Sequence, residues 1–171
     1  GWIDFINSYQ DDETGYYVDR TIQDFNMSDM NQKSILQLTV FSLSALNILN
    51  GKPKSELKSL EKINKSKLHS FLNKYGCLEG RPGSGNYAMF MGILLTYLYQ
   101  VDKDTKYSDL IEYWFDAHNK HIKSNGTWSN NIDKHTIWGF QNALHQLVVY
   151  AFWERRPPNI SKLIEKIIKL Q

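Results

Sequence analysis

Three segments of this chain are apolar on nearly every face of a helix: residues 35–49 (ILQLTVFSLSALNIL), 87–99 (YAMFMGILLTYLY) and 136–153 (TIWGFQNALHQLVVYAFW). A helix with no polar side must be covered all round, so these three belong inside something. Charge-rich segments with a single apolar stripe alternate with them. Residues 55–75 carry Leu57, Leu60, Ile63, Leu68, Phe71, Leu72 and Tyr75 among lysines and glutamates, and 107–122 and 160–170 are similar. Such helices face water on one side. No strand alternation competes, and Asn50-Gly51-Lys52-Pro53, residues 80–85 (GRPGSG), Asn125-Gly126 and Arg156-Pro157-Pro158-Asn159 separate the segments.

The pattern repeats. Residues 42–49 align with 92–99 and with 144–151, at spacings of about 50 residues. Each repeat pairs one wholly apolar helix with one amphipathic helix, so the former build an inner layer and the latter an outer ring. The expectation is an all-α fold of one domain over 1–171, with about three α/α hairpins forming a toroid or an open half of one. Leu46, Leu95 and Val148 should point into one shared interior. A half ring has open apolar ends, which calls for a homo-oligomer or for the remainder of a longer chain.

Composition removes several classes of function. Twenty Lys and Arg against eighteen Asp and Glu leave a formal charge of +2, too balanced for nucleic-acid binding. No apolar run reaches the roughly 18 to 20 residues of a membrane span. The lone Cys77 excludes an internal disulfide and a multi-thiolate zinc site, and suggests a cytoplasmic protein. No phosphate-binding glycine motif follows a strand, and no cofactor is expected.

The turns before the apolar helices carry a resemblance. Residues 5–17 (FINSYQDDETGYY) resemble the QW-type repeat of terpenoid cyclases and protein prenyltransferase β subunits: an aromatic-aliphatic pair, a Gln, then Gly-x-aromatic. Residues 117–128, ending Asn125-Gly126-Thr127-Trp128, are a second copy. Residues 71–82 resemble the prenyltransferase stretch that ends in Gly-Arg-Pro. The resemblance implies an α/α toroid, and glycine turns in which the aromatic and the amide tie one outer helix end to its neighbour. It implies an enzyme acting on a lipid-like or glycan substrate in a concave cavity, or a non-catalytic binding or oligomerisation module on that scaffold. The family's active residues do not carry over: Asn86 and Ala88 stand where a zinc-binding Asp and Cys would, only His135 matches the third ligand, and no metal is expected. Asp11-Asp12-Glu13 sits inside the first turn and reads as a solvated turn.

In such a toroid the mouth is built from the turns into the inner helices. That selects residues 29–37, 81–89 and 130–145. Asp133 and His135 form an acid and base pair if turned toward one another, and His145 places an imidazole in the inner layer. These three are the catalytic candidates. Arg81 in its Gly-Arg-Pro turn suits an anionic substrate group. Asn86, Tyr87, Trp138, Gln141 and Asn142 are the further substrate-binding candidates, since Trp138, Gln141 and His145 share one helix face. His118 and His121, at i and i+3, read as a solvated outer face.

Overall fold

The computed structural model describes residues 1–21, 29–129 and 136–169. Within them the chain is all-α: α1 (Trp2–Asn7), α2 (Asp29–Ile48), a 3₁₀ turn (Lys58–Leu60), α3 (Lys65–Lys74), α4 (Ser84–Asp102), α5 (Thr105–His121), α6 (Thr136–Phe152) and α7 (Ile160–Lys169). The chain divides into two compact units, Gly1–Ile63 and Asn64–Gln171.

In the first unit a buried amide organises the turn between α1 and α2. Gln10 donates from Nε2 to the carbonyls of Gly15 (2.9 Å) and Ser55 (2.7 Å), and its Oε1 accepts the Ser55 N–H at 2.8 Å. Gly15 sits at φ 77°, and a Cβ there would lie 1.9 Å from the Glu56 carbonyl oxygen, so only glycine fits. Tyr17 is fully buried. Its hydroxyl donates to Asn7 Oδ1 on α1, and its N–H donates to Thr39 Oγ1 on α2. One turn thus joins two helices and the 55–57 segment.

Ser55 explains a difference from expectation. The stripe over 55–75 predicts one long helix, but Ser55 gives both its N–H and its carbonyl to Gln10, and the extended Asn64 restarts the chain by capping the Lys67 N–H at 2.9 Å. Only the 3₁₀ turn and α3 result. The stripe keeps its purpose, since Leu57, Leu60, Ile63, Leu68 and Leu72 are all buried.

In the second unit, helices two apart in sequence are neighbours: α4 packs on α6 and α3 on α5, while α4 also packs on α5. Stacked hairpins produce this two-layer order. A Cβ on Gly85 would stand 2.5 Å from Asn142 Cα, and one on Gly92 would stand 2.7 Å from Val149 Cγ2. Asn142 locks the approach, donating to the carbonyls of Gly80 (3.0 Å) and Arg81 (2.7 Å) and accepting the Gly85 N–H at 3.1 Å. Behind α4, Trp114 Nε1 donates to the Ala88 carbonyl, and Trp114, Phe115 and Tyr150 pack edge-to-face with Trp128 tilted against Tyr150. The second glycine turn repeats the logic of the first. Trp128 is buried and its Nε1 donates to the His118 carbonyl at the end of α5, while Gly126, at φ 79°, lies against Asn159 and Leu163 of the α7 start.

Two expectations need correction. Of the three apolar helices only α4 is enclosed nearly all round, because it alone has α5 on one side and α6 on the other. α2 leaves Phe41 and Ile48 exposed. α6 turns Val149 and Tyr150 inward and leaves Val148, 46% exposed, on its outer side, so Val148 does not point into a buried interior. Nor is His118 solvated. It completes the buried stripe of Tyr107, Ile111 and Trp114, stacks on Trp114 with ring centroids 3.6 Å apart, and gives Nδ1–H to the Trp114 carbonyl.

Two measurements check this packing. Replacing Gln10 by Met keeps the volume but orphans the buried Gly15 carbonyl and two half-buried groups of Ser55, and should lower stability by about 2 kcal/mol in urea denaturation. Burial pushes the His118 imidazole down to about 3. An unfolded histidine takes its proton near pH 6.5, so between these values the unfolded chain holds more protons and stability falls as pH falls. Stability should drop on acidification below about pH 6.5, by up to about 1.4 kcal/mol per pH unit from this residue, and the melting temperature should fall with it. His118→Phe, which keeps the stack, should flatten that slope.

Candidate functional site

The residues singled out from sequence separate into two groups. Arg81, Asn86, Tyr87 and Asn142 meet where the 80–85 turn enters α4. Trp138, Gln141 and His145 lie on the far face of α6. Asp133 and His135 lie outside the described residues.

The first group is engaged in structure. Asn142 is 2% exposed and its amide holds three backbone groups of the turn. Tyr87 stacks flat on Tyr75 at 4.0 Å with Phe71 at its edge, so its ring packs toward the α3 side. Asn86 is buried in the first turn of α4 with its Nδ2 3.5 Å from the Gly83 carbonyl. Arg81 is exposed and pairs with Glu79 at 2.8 Å, so its charge is already matched. The side chains of Asn86, Tyr87 and Asn142 are each engaged in packing or in the turn.

The second group stands on an open apolar surface. Ile137, Trp138, Leu144 and Val148 are exposed along one side of α6, with Gln141 and His145 half-buried among them. Ile137, Gln141, Leu144 and Val148 follow the i, i+4, i+7, i+11 rule, which keeps them on one face over about 17 Å, with Trp138 and His145 one position further round. The imidazole of His145 is oriented from within its own helix, with Nδ1 at 2.6 Å from the Gln141 carbonyl. A carbonyl only accepts, so Nδ1 carries the hydrogen, and it is Nε2 that is left to face a ligand. No side chain on this face carries a permanent charge. Among the described residues, no three His, Cys, Asp or Glu side chains gather as metal ligands would. Cys77 is buried, and burial pushes its thiol up to about 12, which removes it as a nucleophile near neutral pH.

A further feature escaped sequence reasoning. At the opposite end of the same helix pair, the C-termini of α4 and α6 frame a cleft of about 390 Å³ bounded by Thr96, Tyr99, Lys103, Phe152, Trp153 and Glu154. Its two charged residues sit in left-handed backbone conformations, at φ 55° and 52°. No spacing rule announces that.

No family model, curated protein or solved structure matches the chain.

The division between the two groups is measurable by stability alone. Asn142→Leu should cost about 2 to 3 kcal/mol by leaving the Gly80, Arg81 and Gly85 groups unpaired. Trp138→Ala, on the exposed face, should stay within about 0.5 kcal/mol of the parent.

Proposed function

We propose that the chain is an α/α-hairpin stack belonging to a toroid, or to an open half of one, of the terpenoid cyclase and prenyltransferase type that its glycine turns resemble. On this reading the outward face of α6 is the wall that meets a lipid-like or glycan ligand. One observation carries the proposal: α6 buries one apolar face against α4 and leaves a second, equally apolar face uncovered. A soluble monomer rarely exposes a contiguous apolar patch without a use for it. The two-layer order of the 64–171 unit supports the toroid class.

The face has the make-up of a ligand wall. Ile137, Trp138, Leu144 and Val148 supply apolar contact, while Gln141 and His145 supply a neutral donor and acceptor to fix orientation. Should the ligand also be transformed, His145 Nε2 is the base among the described residues on that wall. A second reading rests on the same surface: two copies of the chain cover it by pairing.

Titration with a fluorescent fatty acid and with labelled oligosaccharides should show saturable binding by one of them. Leu144→Asp should weaken it at least tenfold without moving the melting temperature. Light scattering decides the second reading. A dimer in the parent that becomes a monomer in Leu144→Asp makes the face an interface between copies, and binding of neither probe class rejects the ligand wall.

A further inference from the structure

We propose that the cleft between the C-terminal ends of α4 and α6 binds an uncharged sugar ring, stacked on Trp153 and Tyr99 and hydrogen-bonded by Lys103, Glu154 and Gln100. The cleft lies wholly within the 64–171 unit, at the end of the helix pair away from the 80–85 turn, and its role does not depend on what α6 binds along its outer face. Its volume of about 390 Å³ is at the small end of the range for ligand pockets and suits a compact ring rather than a long chain.

The aromatic floor is built rather than left over. Trp153 donates from Nε1 to Thr96 Oγ1 at 2.9 Å, and Thr96 in turn donates to the Gly92 carbonyl at 2.8 Å. That two-bond chain fixes the indole and uses up its polar atom, so what it offers the cleft is ring surface. Tyr99 stands 5.9 Å away, tilted by 41°, and Phe152 lies edge-on to Trp153 with 59% of its surface exposed. Aromatic faces carry negative charge density and attract weakly positive C–H groups, such as those on the apolar side of a pyranose.

The charged rim comes from an independent observation. The residue that closes an α-helix in the left-handed conformation is usually glycine, because a Cβ is strained there. α4 closes on Lys103 and α6 on Glu154, both at positive φ, with Arg155 N–H returning to the Tyr150 carbonyl as the helix end requires. α2 makes the same closure, Gly51 N–H to the Leu46 carbonyl, with Asn50, a residue that tolerates the conformation. Both helices that frame the cleft thus hold a long charged side chain where backbone energy favours none, a form of local strain characteristic of functional sites.

The charges also select the ligand. Lys103 Nζ already lies 5.7 Å above the Tyr99 ring and repels a second cation from it. Glu154 repels an anion. A purely apolar group would use the rings but none of the ammonium, carboxylate and amide that the exposed Lys103, Glu154 and Gln100 offer at the rim. Vicinal hydroxyls donate to Glu154 and accept from Lys103 while the opposite C–H face stacks, so a neutral sugar satisfies every group at once.

The test is a titration of the whole chain, followed through the Trp153 indole N–H resonance, with methyl glucoside, N-acetylglucosamine, maltotriose and cellotriose. Tetramethylammonium and hexanoate serve as the cationic and apolar-anionic comparisons. At least one sugar should give a saturable shift, weakened tenfold or more in Phe152→Ala and in Glu154→Gly. Glu154→Gly should meanwhile keep or raise the melting temperature, since it relieves the backbone, and Leu144→Asp should leave the sugar shift intact even where it abolishes binding along α6. Three results would overturn the proposal: no sugar moving the indole signal at tens of millimolar, either comparison compound moving it at lower concentration than any sugar, or Glu154→Gly binding sugar as well as the parent.

Discussion

The close approach of α4 and α6 governs the larger unit. Gly85 against the Asn142 backbone and Gly92 against Val149 leave no room for even a methyl group. Two bulkier residues there would force the helices apart and open the space that Ala88, Phe90 and Leu95 now fill. Beyond this line of contact, α4 is covered by α5 and by the Tyr75 and Phe71 rings, while α6 meets α5 only near its C-terminal end, through Tyr150 on Trp114 and Phe115. The same contact brings both C-termini to one place, where they frame the cleft bounded by Tyr99 and Trp153.

In both units the structure uses side-chain amides to close loops that would otherwise bury unpaired backbone. Gln10 and Asn142 occur in different units and on different elements, yet each holds three main-chain groups from a neighbouring turn. Each works beside a glycine that lets two backbones approach within a side chain's width. Trp128 and Tyr17 do a related job at the ends of α5 and α1, burying a ring and giving its one polar hydrogen to the helix end. Backbone groups removed from water need partners, and a short stiff amide supplies both signs of partner at once.

Much of this was legible in advance, for local reasons. The Gln-to-aromatic spacing over 10–17 marked a turn, and the turn has the amide and ring contacts such a spacing suits. Periods of apolar residues and the Gly, Pro and Asn breaks placed α4 to α7 within a few residues. His118 continues the 107, 111, 114 stripe into the core, although the nearby Lys120 and Lys123 point to a solvated face. The shortening of α3 was not legible, because it depends on Ser55 being held by a residue 45 positions away. Nor could sequence separate Gln141 from Asn142. The two are adjacent polar residues on a helix that is apolar on both sides, one half-exposed and the other fixed in a turn.

What the sequence determined by itself was the all-helical character, the alternation of greasy and half-greasy helices and the turns between them, since all of these follow from the order of residues along a few turns of chain. What only tertiary structure decided was which side of α6 became core. Two faces of that helix are apolar enough to be buried, and hydrophobicity has no direction that ranks one above the other. Shape made the choice: Val149 meets Gly92 and Asn142 meets Gly85, while Val148 and Leu144 find no such hollow on α4 and remain outside.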